Sequence, residues 1–171
     1  MELSEATDKT VKRLLEAYAA HYGVTSPYEF AGRTFDGYAE HHASAGQFVL
    51  TERAKLWEAG THDYAFFTSC ENASANYLSD LVEFMKTDAL AKVAHGQGHM
   101  TSYLTLIVVA DAVEDDARDL ARRARFRKNF KLGMHGWADL RLAIADLGRG
   151  DVITNGQGKP LGQIITRFLP A

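Results

Sequence analysis

Seven histidines stand among the 171 residues, and three groupings of them could do chemistry. His41 and His42 follow Glu40, His62 precedes Asp63, and His95 and His99 flank Gly96-Gln97-Gly98. Imidazole is the usual ligand for transition metals and the usual acid or base near neutral pH. Glu40, His42 and His99 are the candidate metal ligands, and His42 and His99 the candidate catalytic base and acid. His95 and His99 have the i, i+4 spacing of a helical metal pair, but glycines lie between them and no Glu follows His95. The zinc-protease pattern is therefore absent. Alternation along a strand sends His41 and His42 to opposite faces, so at most one of them joins a given site.

Two triplets, His42-Ala43-Ser44 and His99-Met100-Thr101, set a histidine two residues before a hydroxyl. They resemble the paired motifs of the two-histidine phosphoesterases. The resemblance implies a cleft with one histidine as base, the other as acid, and the hydroxyls holding phosphate. In-line attack on a phosphodiester needs such an acceptor and donor on opposite sides.

Other stretches offer weaker chemistry. The run Arg122 to Lys131 interleaves bases with Phe126 and Phe130, a composition that can hold phosphate or a single strand. Its bases also sit at the end of a helix that starts acidic, where the dipole favours them. Arg123, Arg127 and Lys128 are the candidate anion-binding residues. Asn155-Gly156-Gln157-Gly158-Lys159 lacks the spacing of a phosphate loop, has Pro160 after the lysine, and reads as a turn. Cys70 has acidic Glu71 beside it and no basic neighbour, which argues against a reactive thiol. Trp57 and Trp137 read as core or interface aromatics. The element order is compatible with a restriction-type nuclease. The acid-x-lysine triplet of those enzymes is missing from both Asp63-Tyr64-Ala65 and Glu52-Arg53-Ala54.

The elements that must position these residues follow from periodicity. A helical stripe over 4–22 carries Val11, Leu14, Leu15, Tyr18 and Tyr22, with Ser4 or Thr7 as cap and Gly23 as stop. Val24 to Pro27 reads as a connection. The period shortens towards two from Phe30 to Thr51, with a turn at Ser44-Ala45-Gly46 and a returning strand at Gln47–Thr51. Asp63 to Ser69 is a further strand. A second helix, capped by Asn72 or Ser74, carries Leu78, Leu81, Val82, Met85, Ala89 and Val93, with Thr87-Asp88 as an interruption. Tyr103 to Ala110 is apolar on both alternating faces and reads as a strand covered on both sides. Glu114 to Lys128 is a third helix presenting Ala117, Leu120, Ala121 and Ala124. Phe130 to Leu147 reads as extended, broken at Gly133 and Gly136. A turn at Gly148-Arg149-Gly150 leads to a short strand, and Leu161 to Leu169 closes the chain as a helix.

The fold class expected is α+β, a mixed sheet of five to seven strands with two or three long helices. Strand-helix-strand crossovers lie in the middle and hairpins toward both ends. Hydrophobic residues make up 46% and charged residues 24%, and the formal charge is −3. That suits a soluble single domain over 1–171, and the overall charge points to neither nucleic acid nor an anionic membrane. The basic run leaves nucleic acid open. The one cysteine, the polar acidic start and the absence of a spanning apolar run point to the cytoplasm. Short terminal strands leave sheet edges that a homodimer would cover. The reading is a cytoplasmic, self-associating binding or interaction domain, with a histidine-based hydrolase as the alternative. Ligand and cofactor stay open.

Overall fold

Thirteen-residue strands at the centre of the sheet set the frame for everything else. The computed structural model describes residues 3–42, 61–94 and 101–171. The expected Ser44-Ala45-Gly46 turn, the Gln47–Thr51 strand, Trp57, His95 and His99 lie outside the described residues. β5 (Thr61–Ala73) and β6 (Thr101–Val113) run parallel along their whole length, and β8 (Trp137–Asp146) runs parallel to β6 on its other side. β4 (Gly37–His42) pairs antiparallel with β5, and β1 (Gly23–Thr25) with β4. β7 (Arg127–Asn129) and β9 (Asp151–Thr154) both pair antiparallel with β8. The result is one mixed seven-stranded sheet, with a separate hairpin of β2 (Tyr28–Phe30) and β3 (Arg33–Phe35). This is the α+β class expected, and the Val24–Pro27 connection is partly strand.

The crossovers place the helices. β5 to β6 and β6 to β8 step the same way across the sheet, so one handedness puts both crossover helices on the same face. Those helices are α2 (Ala75–Phe84) and α3 (Asp115–Arg123). They and the β2–β3 hairpin cover Phe66, Leu104, Leu106, Val108, Leu140 and Ile144. Ser74 caps α2 by accepting from the Tyr77 N–H at 3.1 Å. The expected interruption near Thr87-Asp88 is a π-helical turn, Met85–Ala89, followed by a 3-10 turn, Leu90–Lys92. The expected stripe survives it, with Leu78, Leu81, Val82, Met85, Ala89 and Val93 all buried.

The opposite face is covered by α1 (Glu5–Ala19) and α4 (Lys159–Thr166). Ser4 caps α1 by accepting from the Thr7 N–H at 3.2 Å, and the Thr7 hydroxyl donates to Asp111 at 2.5 Å. The helix start is thus tied to the far end of β6. With both faces covered, Leu106, Ile107, Val108 and Val109 are all buried, as the two-sided apolar run requires.

β7 and β9 occupy successive lengths of β8's outer edge and leave Leu140 to Leu142 between them without a strand partner. Asn155 fills that seam. Its Oδ1 accepts from Leu142 N–H at 3.0 Å and Gly158 N–H at 2.8 Å. Its Nδ2 donates to Leu140 C=O at 2.9 Å and Ala124 C=O at 3.1 Å. A Cβ on Gly158 would sit 2.3 Å from the Leu142 carbonyl oxygen, so only glycine fits there. The turn expected at Asn155–Lys159 is therefore an edge plug.

The third helix ends earlier than its sequence suggests. α3 stops at Arg123, and Arg127–Asn129 leaves it as β7. Within the expected long strand, Lys131, Leu132, Gly133 and Gly136 all have positive φ and form a tight turn. Among the described residues no helix is long and apolar enough to cross a membrane.

Candidate functional site

β4 and β5 bring the histidines together. Their antiparallel register sets Glu40 opposite Tyr64, His41 opposite Asp63 and His42 opposite His62. Pleating then divides these residues between the two faces. On the α2 side lie Glu40, His42, His62 and Tyr64. On the α1 side lie His41 and Asp63.

The first group is a hydrogen-bonded chain. His42 Nε2 lies 2.7 Å from Glu40 Oε1, and His42 Nδ1 lies 2.7 Å from His62 Nδ1. A carboxylate only accepts, so His42 Nε2 carries the proton. Neutral His42 then accepts at Nδ1, and His62 Nδ1–H is the donor. Protonating His42 reverses that last bond and moves the His62 proton to its far nitrogen. The three groups thus form a relay in which a charge at one ring resets the other. The side chains of Glu40 and His42 are 37% and 46% exposed, so solvent and solutes reach the relay. The Tyr64 ring stands edge-on to His42 at 5.5 Å and forms its floor. Further along this face, Lys92 Nζ donates to the Tyr28 hydroxyl at 2.9 Å and lies 4.7 Å and 4.8 Å from the rings of Phe30 and Tyr38. Burial, with Glu40 nearby, pushes the Tyr38 hydroxyl well above the ordinary phenol range.

Of the expected set, Glu40 and His42 meet, and His99 lies outside the described residues. Glu40 sits behind His42, on the ring nitrogen away from His62, in an orienting position. His62 was missed as a partner. It is twenty residues from His42, and only the strand register, which no local pattern encodes, joins them. Among the described residues no group of three His, Cys, Asp or Glu side chains is arranged to hold a metal.

The second group is buried. Asp63 is 4% exposed and accepts from the Tyr22 hydroxyl and the Thr105 hydroxyl, each at 2.6 Å. Burial raises its pKa above the ordinary carboxyl value, opposed by those two hydrogen bonds and by the charges of Arg141 and His41. The Arg141 guanidinium lies 3.2 Å over the Tyr103 ring, and its buried Nε has no hydrogen-bond partner among the described residues. His41 Nδ1 donates to the His21 carbonyl at 3.0 Å. Nothing in the local sequence marks this cluster, which draws on the turn after α1 and on β4, β5, β6 and β8.

Of the expected anion-binding residues, Arg123 ends α3, and Arg127 and Lys128 lie on β7. Arg127 donates to Asp139 from Nε at 2.6 Å and from a terminal nitrogen at 2.8 Å, and covers Trp137 at 5.2 Å. Arg123 and Lys128 are exposed. A cavity of about 400 Å³ opens in the seam between β7 and β9, lined by Arg125, Arg127, Asp139, Leu140, Asn155 and Gln157 among others. Cys70 is half-buried, and burial pushes its thiol up to about 11.

No curated protein and no solved structure matches the chain. A family model described as Domain of unknown function (DUF8052) matches residues 6–167, a span that takes in both polar groups and the seam. The chain belongs to that family.

Proposed function

We propose that this domain is a histidine-based hydrolase that works through the Glu40–His42–His62 relay. The observation that carries the reading is the exposed chain of two 2.7 Å contacts linking the three side chains. Hydrolysis of a phosphodiester or carboxylic ester needs a base for the attacking water and an acid for the leaving oxygen. Glu40 fixes the orientation and tautomer of His42, as a carboxylate does behind any catalytic histidine. The imidazole contact lets His42 and His62 share the proton taken up. Lys92 on the same face adds a cation that suits an anionic substrate such as a phosphodiester.

A metal-dependent version has its own support. The two Nδ1 atoms face each other, so a divalent ion replacing the shared proton needs only a modest parting of the rings to give bonds of about 2.0–2.1 Å. His99 is the sequence-based third ligand, and Glu40 orients His42 from behind.

The test is turnover of bis-p-nitrophenyl phosphate and p-nitrophenyl acetate across about pH 5–9, with zinc or with chelator. A bell-shaped profile in chelator supports the metal-free relay, and activity that requires zinc supports the metal version. His42→Ala and His62→Ala should each lower turnover by about 10²-fold or more. Absence of both turnover and zinc binding refutes the hydrolase and leaves a binding domain.

A further inference from the structure

We infer that the β7–β8 turn is a docking tip for an anionic lipid bilayer surface. Residues 120–138 hold six cations and no acid, against 13 cations and 22 acids in the rest of the chain. The overall charge of −3 hides this division. At the centre of the basic stretch stand the two large apolar side chains left open among the described residues, Leu132 at 98% and Met134 at 75% exposure. Arg123, Arg125, Lys128 and Lys131 have no carboxylate partner among the described residues, so their charge is available.

The backbone holds the tip out. Lys131 and Leu132 have φ of 47° and 55°, a region that non-glycine residues avoid. Hydrogen bonds from Gly133 N–H and His135 N–H to the Phe130 carbonyl, at 3.0 Å and 3.1 Å, fix the turn. Phe130 anchors it in the core at 9% exposure. Strain held in this way at an exposed apolar residue points to a role for the display.

The shape selects the occupant. Two aliphatic side chains on a convex turn are far short of the roughly 800 Å² per partner that a stable protein interface buries. Single-stranded nucleic acid is bound by open aromatic platforms. Here Trp137 lies under Arg127 and Phe126 under Lys86. An apolar tip ringed by cations fits a bilayer, where side chains enter about 5–10 Å and basic residues meet anionic headgroups. No helix among the described residues is long and apolar enough to cross a membrane.

The experiment is sedimentation of the full chain with phosphatidylcholine vesicles that contain or lack about 30% phosphatidylserine. The expected result is at least about tenfold tighter binding to the anionic vesicles, lost as salt rises to about 0.5 M. Leu132→Asn with Met134→Ser should weaken binding about tenfold and keep its salt dependence, and asparagine suits the positive φ. Lys128→Gln with Lys131→Gln should weaken binding by about fivefold per charge and flatten the salt dependence. Circular dichroism checks that each variant is folded. Equal binding to neutral vesicles, no binding to anionic ones, or an unaffected Leu132/Met134 variant overturns the proposal. So does a lipid-free dimer, or tight binding of a single-stranded oligonucleotide, that this variant abolishes.

Discussion

Replacing Asn155 with alanine would open the β8 edge at the seam between β7 and β9. The side chain makes four hydrogen bonds of 2.8–3.1 Å to backbone groups from Ala124, Leu140, Leu142 and Gly158, and the residue is 1% exposed. Each bond contributes about 0.5–1.5 kcal/mol net, so the four together bound the effect at about 2–6 kcal/mol. The cavity of about 400 Å³ beside Asn155 lets water reach some of the orphaned groups. The lower half of that range, about 2–4 kcal/mol, is expected. For a chain of this size it corresponds to a fall in Tm of about 4–16 °C. Urea denaturation with an unchanged m-value is the assay. Asn155→Asp is the sharper variant, because it keeps the shape and sets a carboxylate oxygen against two carbonyls. It should be at least as destabilising at neutral pH and recover in acid, when the carboxyl can donate. A change within about 0.5 kcal/mol for Asn155→Ala would refute the edge-plug argument.

Three further outcomes are expected. Native Asp63 holds its proton above the ordinary carboxyl pKa, so the folded state binds more protons than the unfolded one between the two values. Stability should fall as pH rises from about 4 through the native pKa, and Asp63→Asn should remove that slope in thermal melts run across pH. With its thiol pushed up to about 11, Cys70 should react with iodoacetamide at pH 7.5 far more slowly than glutathione does, and mass spectrometry showing rapid labelling of the native protein would contradict this. Ala121 is fully buried on α3, so Ala121→Leu should cost about 1–3 kcal/mol through overpacking, and a neutral result by urea denaturation would mean that α3 does not press on the sheet.

Patterns with a short period were legible, and contacts set by register were not. The stripe of α1, the stripe of α2 and the two-sided run of β6 follow directly from where apolar residues recur. The Gly148–Gly150 turn follows from its glycines. The basic run was harder, because charge at a helix end suits the dipole whether or not the helix continues. α3 ends at Arg123, and Arg127 turns back to pair with Asp139. Leu132 is a similar case, since a leucine at positive φ runs against its own preference and is held only by the turn around it. The candidate site divides the same way. Glu40 and His42 are two residues apart on one strand, so alternation puts them side by side. His62 and the partners of Asp63 arrive from other strands and from the turn after α1, through pairings that the sequence states nowhere locally.

The sheet's connectivity also sets the timetable of synthesis. The apolar stripe of α1, with Val11, Leu14, Leu15 and Tyr18, shares a core with Ala39 on β4, Ala65 and Phe67 on β5, and Ile107 and Val109 on β6. Every one of those partners leaves the ribosome after the helix, the last of them on β6. At roughly 5–20 residues per second, the helix waits on the order of 10 s for the whole of its platform. During that interval the nascent chain carries an uncovered greasy stripe. A holding chaperone would meet it there first, and a truncated transcript ending before β5 would leave most of it uncovered for good.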